Sequence, residues 1–368
     1  MRRIAAFVVV TLLCLGALGV QAEDFSPVAL KFDRPELESR WRARLQGFLD
    51  AGVIPLIDME TSLQQDQVET YIPDALPVMD KLGFALIAAD GYQRAKDGSK
   101  GYRWSTYIRA LVIDYPDRFV PTANGGTNPN WLKEKGGEPT DFIDQMEQHV
   151  RAGIYANMGE FDFRHYMSNH QCKQGKTDRD SDIALTSENG HRVFRLSAKT
   201  GVPFVIHLEP EDQSLDDLAT MLKQYPGANV IVAHFGQIRH PEKETRFTPE
   251  TVRQLLGTYP NLYYDLATAE PNRRYRCSDV AADGVIWDGP LNDQRDTLSP
   301  AYKVILSEFS SRFVAATDYG GGREPWPRFL SEKAENLRRI MQGLPDEAQH
   351  NIGYRNAWKL LTGKPWAP

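Results

Sequence analysis

The sequence predicts an α/β fold, a (β/α)8 or TIM barrel with an extra N-terminal helix and long loops after strands four and seven. Eight short apolar runs recur between residues 53 and 317, and stretches with one apolar face at helical spacing separate them. Most of the runs are continuously apolar rather than alternating, as strands covered on their outer face by helices should be. Strand, helix, strand repeated in this way reads as a series of βα units.

Taken in order, the chain of 368 residues opens on a leader. Met1–Arg3 is basic, Ile4–Val20 is apolar, and Val20-Gln21-Ala22 places small residues where a signal peptidase cuts. The apolar run has about 17 residues, the low edge of what spans a bilayer. Residues 1–22 are therefore expected to be a signal peptide, leaving a chain that starts near Glu23 in a periplasm or, alternatively, is secreted. An extension at 23–52 contains a helix over Pro35–Ala51, and the barrel is expected over 53–364. Its strands are read at Val53–Asp58, Phe84–Ala89, Arg118–Ala123, Ile154–Met158, Pro203–His207, Asn229–His234, Leu262–Leu266 and Phe313–Thr317. The helices between them are read at Ile72–Leu82, Ser105–Tyr115, Thr140–Ala152, His191–Thr200, Leu215–Tyr225, Pro249–Thr258, Pro300–Phe309 and Trp326–Gln342, with a closing helix near Glu347–Leu361. The irregular stretches Phe161–Glu188 and Ala267–Thr297 follow strands four and seven, where long βα loops form a catalytic rim.

The formal charge is −6, and becomes −8 once the leader and its two arginines are gone. An acidic chain without a basic tract argues against nucleic acid or an anionic membrane surface as partner. A small-molecule substrate fits better, and a homodimer through exposed helices is the default for this architecture. Of three cysteines, Cys172 and Cys277 survive processing, which permits one bridge or two free thiols.

Polar groups terminate the apolar runs. Asp58 and Glu60 end strand one, Glu160 and Asp162 follow strand four, His207 and Glu209 end strand five, His234 ends strand six and Asp318 follows strand eight. A histidine after one apolar strand is as often structural as functional, but a closed barrel brings all eight carboxyl ends to one mouth. Imidazoles and carboxylates gathered there can hold a divalent ion with an open position for water, and a neighbouring carboxylate can accept a proton.

Phe204-Val205-Ile206-His207, Val230-Ile231-Val232-Ala233-His234-Phe235-Gly236 and Val314-Ala315-Ala316-Thr317-Asp318-Tyr319-Gly320 resemble strands five, six and eight of the amidohydrolase superfamily. The tail Ile352–Leu361 is similar to its closing helix. The branch most similar is the amidohydrolase-related family, which includes decarboxylases and lactonases of aromatic-acid breakdown. The resemblance implies His207 as a metal ligand, His234 as a second ligand or an orienting group, and Asp318 as a residue that touches the metal and moves the proton. Strand one departs from the family pattern of an aspartate followed by two alternate histidines: Asp58-Met59-Glu60-Thr61-Ser62 puts Glu60 and Ser62 in their places. Glu60 can still offer a carboxylate, whereas Ser62 is a poor neutral ligand. The implied site is one divalent ion on Glu60, His207 and Asp318, with Glu160 or His234 completing it. Zinc comes first and manganese or iron next, and a metal-free site working by direct acid-base chemistry is the alternative. Arg94 and Arg164 offer a forked grip on a substrate carboxylate, with Tyr92 and Asn124 as further contacts.

The first functional expectation is a hydrolase that opens an ester, lactone or amide with activated water. The alternatives are a non-oxidative decarboxylase of a small aromatic or unsaturated acid and a catalytically inactive solute-binding barrel.

Overall fold

The computed structural model describes residues 32–94, 100–104, 106–125, 142–175, 177, 180–268, 270–271, 273–278, 284–288, 297–320 and 325–367; side chains at 92–104, 106–107, 109, 142 and 145 are not described. The expected leader, residues 1–22, lies outside the described residues. The expected alternation is present. Strand one is Leu56–Gln64, strand two Phe84–Arg94, strand three Phe119–Ala123 and strand four Asn157–His165. Strand five is Phe204–Leu208, strand six Val230–Val232 and strand seven Leu262–Asp265. Strand eight is split into Phe313–Val314 and Tyr319–Gly320.

These strands pair in parallel, each with its neighbour in order. Strand seven pairs with the first half of strand eight (Tyr264 with Phe313), and strand one with the second half (Thr61 with Tyr319). The sheet thus curls until its two ends meet on one segment, 313–320. Regular pairing lapses between the halves, so the (β/α)8 barrel is distorted and incompletely closed. Individual bonds cross the gap, Met59 N–H to Ala315 O at 3.0 Å and Asp318 N–H to Glu60 O at 3.1 Å.

Two apolar bodies hold this shape. Outside the sheet, Leu56, Phe84, Ile87, Phe119, Phe204 and Leu262 pack under the surrounding helices. Inside it, Ile57, Leu86, Val120, Val205, Ile231 and Val314 fill the barrel. That inner body continues into Leu37, Trp41 and Leu45 of the N-terminal helix Arg34–Asp50 and into Trp358 and Leu361 of the last helix. The amino end of the barrel is therefore plugged with hydrocarbon, which leaves the carboxyl end for polar groups.

Several bounds differ from expectation. Strand one runs six residues past Asp58, because its polar end pairs with strand two (Ser62 with Asp90) and with strand eight. Strand four begins three residues later than read, since the chain turns at Gly153, whose φ is +77°. Strand four also runs on to His165, so Glu160 and Asp162 lie within it rather than after it. The expected irregular stretch after strand four contains a helix, Asn169–Lys173, and a short strand, Ser181–Asp182, antiparallel to strand four. In the stretch after strand seven, Trp287–Asp288 pairs with Thr297–Leu298. The two stretches are joined by a Cys172–Cys277 disulfide with a Cα–Cα distance of 5.6 Å. Asn169 Nδ2 to Arg274 O (3.0 Å) and Tyr275 Oη to Met167 O (2.8 Å) reinforce that junction. Among the described residues no helix is long and apolar enough to cross a membrane.

Candidate metal centre at the barrel mouth

Asp58 is fully buried and accepts four hydrogen bonds. Two come from the backbone N–H of Glu60 and Thr317, both at 3.0 Å, and two from the hydroxyls of Thr61 at 2.5 Å and Thr317 at 2.7 Å. Burial pushes its carboxyl up to about 7 even against these four donors. Asp58 is thereby occupied in clamping strand one to strand eight.

Beyond it, pairing with strand two slips between Asp58 and Thr61, an irregularity of the kind that re-aims a side chain. Glu60 lies here, 6 % exposed, and neither carboxylate oxygen has a hydrogen-bond partner. His234 Nε2 is 3.7 Å from Glu60 Oε1. Burial and then the neighbouring acids Asp265, Glu160 and Asp318 raise the Glu60 carboxyl well above the ordinary range. The Ser62 hydroxyl donates to Asp90.

Glu160 is placed by a tight backbone packing. An added Cβ on Gly125 would fall 1.7 Å from Glu160 O, and one on Gly159, whose φ is +108°, would fall 2.5 Å from Val205 O. From there Glu160 Oε1 meets His207 Nδ1 at 2.8 Å and His234 Nε2 at 3.3 Å. Burial would raise the Glu160 carboxyl, but the two imidazoles outweigh burial and hold it well below the usual range. The His207 and His234 ring centroids are 4.7 Å apart, and those of His165 and His207 are 4.3 Å apart. Burial would depress both imidazoles, yet the surrounding carboxylates raise His207 and bring His234 up to about 9.

Three groups of side chains could each hold an ion: Glu160, His207 and His234; Glu60, His234 and Asp318; and Asp162, His165 and His207. Glu60, His207 and Asp318 do not form one group among them. His207 and Asp318 instead belong to separate groups joined through His234, which is the central donor. Imidazole nitrogens beside carboxylate oxygens suit a divalent transition ion. The partnerless buried oxygens of Glu60 are what such an ion would satisfy, so the residues present fit a metal.

Asp265 at the end of strand seven went unnoticed in the sequence. It is fully buried, its Oδ1 accepts from His234 N–H at 2.8 Å and Ala267 N–H at 3.1 Å, and Oδ2 has no hydrogen-bond partner. Its signal was an acid in the apolar run Leu262–Leu266.

The expected substrate contacts are placed variously. Asn124 is buried and donates to Asp90 Oδ2 at 3.1 Å. Arg164 pairs with Glu211 at 3.0 Å, donates to Ser181 O at 3.1 Å and stacks over Tyr166. Tyr92 and Arg94 lie at the end of strand two, but their side chains are outside the described residues. Arg239, 7 % exposed, lies 3.3 Å from Glu209 Oε1 behind His207.

Residues 135–362 match the model of the family described as amidohydrolase. The match begins after strand three, so the divergent strand one lies outside it. No curated protein matches the sequence. Similar solved structures include Amidohydrolase 2 from Bifidobacterium longum subsp. infantis, at 13 % identity and a TM-score of 0.43, covering 84 % of this chain and 99 % of that one. A 2,6-dihydroxybenzoate decarboxylase from Rhizobium has 12 % identity and a TM-score of 0.44, covering 83 % and 98 %. A 4-oxalomesaconate hydratase from Rhodopseudomonas palustris has 16 % identity and a TM-score of 0.45, covering 89 % and 92 %. With 228 of its 368 residues inside the family match and metal-capable clusters at the barrel mouth, the chain belongs to the amidohydrolase family and is an enzyme of that family.

Proposed function

We propose that this chain is a metal-dependent hydrolase that opens an ester, lactone or amide bond in a small polar substrate. The observation that carries the reading is the buried Glu60 carboxylate, without a hydrogen-bond partner, facing His234 and Asp318 beside the Glu160–His207–His234 group. Glu160, His207 and His234 would hold one divalent ion, zinc first and manganese or iron next, with Glu60 and Asp318 on its strand-one side. When bound, the ion supplies Lewis acidity to the substrate carbonyl and acidifies the attacking water.

The rest is the work of the chain. Asp318 is only partly buried, and its backbone is anchored on Glu60 O, so its carboxylate can take the proton from the attacking water and return it to the leaving group. His234, held from below by Asp265 and with Nδ1 3.2 Å from Ala267 O, presents Nε2 to the mouth. The apolar barrel floor keeps solvent to the mouth side. The leader-like first 22 residues and the Cys172–Cys277 bridge support export to an oxidising compartment, the periplasm first.

Elemental analysis of untagged protein prepared without chelator tests the reading, run beside Glu60→Gln and His207→Ala. The expected result is close to one equivalent of metal in the parent, much less in both variants, and turnover of lactones or aryl esters that follows metal content. A metal-free but active parent would sink the metal-dependent mechanism, and unchanged metal in Glu60→Gln would remove Glu60 from the ligand set.

A further inference from the structure

We propose that Asp162, His165 and His207 form a second, weaker zinc seat beside the first, and that filling it inhibits the enzyme because His207 belongs to both. The seat stands on its own geometry, and the inhibition rests on the metal-dependent reading above.

Strand four builds two of the three donors. Phe161 and Phe163 pack into the apolar body outside the sheet, so Asp162 between them points to the barrel interior, as Glu160 does. Asp162 stands directly opposite His207 in the pairing of strands four and five. That pairing slips between Asp162 and Arg164, which breaks the alternation and lets His165 turn to the same side. The His165 and His207 ring centroids are then 4.3 Å apart. Asp162 is 0 %, His165 7 % and His207 3 % exposed, and one ligand atom from each lies within 4.8 Å of the others. Donors bound to one zinc at about 2.0–2.2 Å stand roughly 3.4 Å apart, so small side-chain rotations close the set on an ion. Two imidazoles and one carboxylate suit zinc, with a position left for water.

His207 decides what a second ion does. Its Nδ1 is 2.8 Å from Glu160 Oε1, and it is also a donor in the group Glu160, His207 and His234. A neutral imidazole has one nitrogen lone pair to give and carries its proton on the other nitrogen, so His207 serves one ion at a time. An ion drawn to Asp162 and His165 takes His207 from Glu160 and leaves the first ion on the remaining donors. The second seat is the weaker because it has one carboxylate, whereas the first adjoins Glu60 and Asp318 through His234. Glu209 Oε1, 3.6 Å from His207 Nε2, adds little net charge, since Arg239 Nη1 lies 3.3 Å from it.

The metal-stripped mature protein is titrated with ZnCl2 by calorimetry, and turnover is followed over the same zinc range. The expected result is two equivalents in the parent, the second weaker, with turnover falling as the second binds. His165→Phe keeps a ring against His207 and removes the donor nitrogen, so it should take up the first equivalent only and lose the inhibition by excess zinc. If it does not fold, Asp162→Asn, of nearly the same shape, is read on the same titration with the same expectation. Two equivalents in these variants overturn this ligand set. A second equivalent that leaves turnover unchanged overturns the sharing of His207. A parent that saturates at one equivalent overturns the second seat and leaves the metal-dependent reading intact, whereas a parent that binds no zinc overturns both.

Discussion

Replacing Asp58 by alanine should cost folding stability out of proportion to the size of the side chain. Its carboxylate accepts from Glu60 N–H and Thr317 N–H, and from the hydroxyls of Thr61 and Thr317, in a place where Asp58 is 0 % exposed. After removal the two hydroxyls, already 2.9 Å apart, can turn to each other. The two backbone N–H groups cannot turn. Each buried donor left without a partner costs about 1–3 kcal/mol, so Asp58→Ala should lose about 2–6 kcal/mol. Asp58→Asn keeps an oxygen for the backbone donors and offers its amide to the two hydroxyl oxygens, so it should lose only about 1 kcal/mol. Urea unfolding of both variants, metal-free and at neutral pH, measures the difference. A loss below about 1 kcal/mol in the alanine variant would show that strands one and eight are held by something else. Metal content gives a second reading: Asp58→Asn should keep the parental amount, and its loss would mean that Asp58 is itself a ligand rather than a clamp.

Two further outcomes follow from parts of the molecule away from the mouth. Replacing both Cys172 and Cys277 with serine opens a loop of sequence separation 105 and should cost roughly 2–4 kcal/mol. Melting temperatures compare the forms, and two titratable thiols in the unreduced parent would refute the bridge. His149 is 4 % exposed and burial lowers its imidazole below the ordinary value, so the unfolded chain binds its proton first as the pH falls. His149 should therefore contribute a loss of stability as the pH drops below about 6.5, and His149→Gln should be more stable relative to the parent at low pH than at neutral pH. Identical pH slopes in the two proteins would exclude His149 as a contributor.

What was legible in the sequence was whatever hydrophobic continuity controls. Pro249–Thr258 and Trp326–Gln342 have the helix limits read from their apolar periodicity and their prolines at the first helical turn. His207, His234, Glu160 and Glu60 all lie at the mouth because each follows an apolar run whose carboxyl end faces it. The polar extension of strand one was hidden, since Thr61 and Ser62 are strand residues only by virtue of pairing with Ala89, Asp90 and the far half of strand eight. The helix Gln65–Leu82 likewise starts seven residues before the apolar pattern at Ile72 and carries Pro73 and Pro77 inside it, a case of packing overriding propensity. Which carboxylates touch which imidazoles depends on register between distant strands. That is why Glu60, His207 and Asp318 are split between different groups, two of which share His234, and why Asp265 passed for an ordinary strand residue.

The backbone carries the last part of the argument. His234 and Asp318 have φ values of 58° and 54°, a region that a residue with a Cβ occupies at a cost of about 1–3 kcal/mol and that clusters at functional sites. Each is held there by another acid of the mouth: Asp265 Oδ1 accepts His234 N–H, and Glu60 O accepts Asp318 N–H. Asp58 meanwhile fixes Glu60 and Thr317 by accepting both their N–H groups. The acids of strands one and seven thus position the backbone of the two residues that would work beside the ion, on strands six and eight. Removing the Asp265 carboxyl should disturb more than its own contact, because it also holds His234, which shares a ligand group with Asp318, so substitutions at Asp265 and Asp318 should combine non-additively in metal affinity. Strand one thus supplies both the carboxylate that faces His234 and the carbonyl that holds Asp318 in its strained conformation.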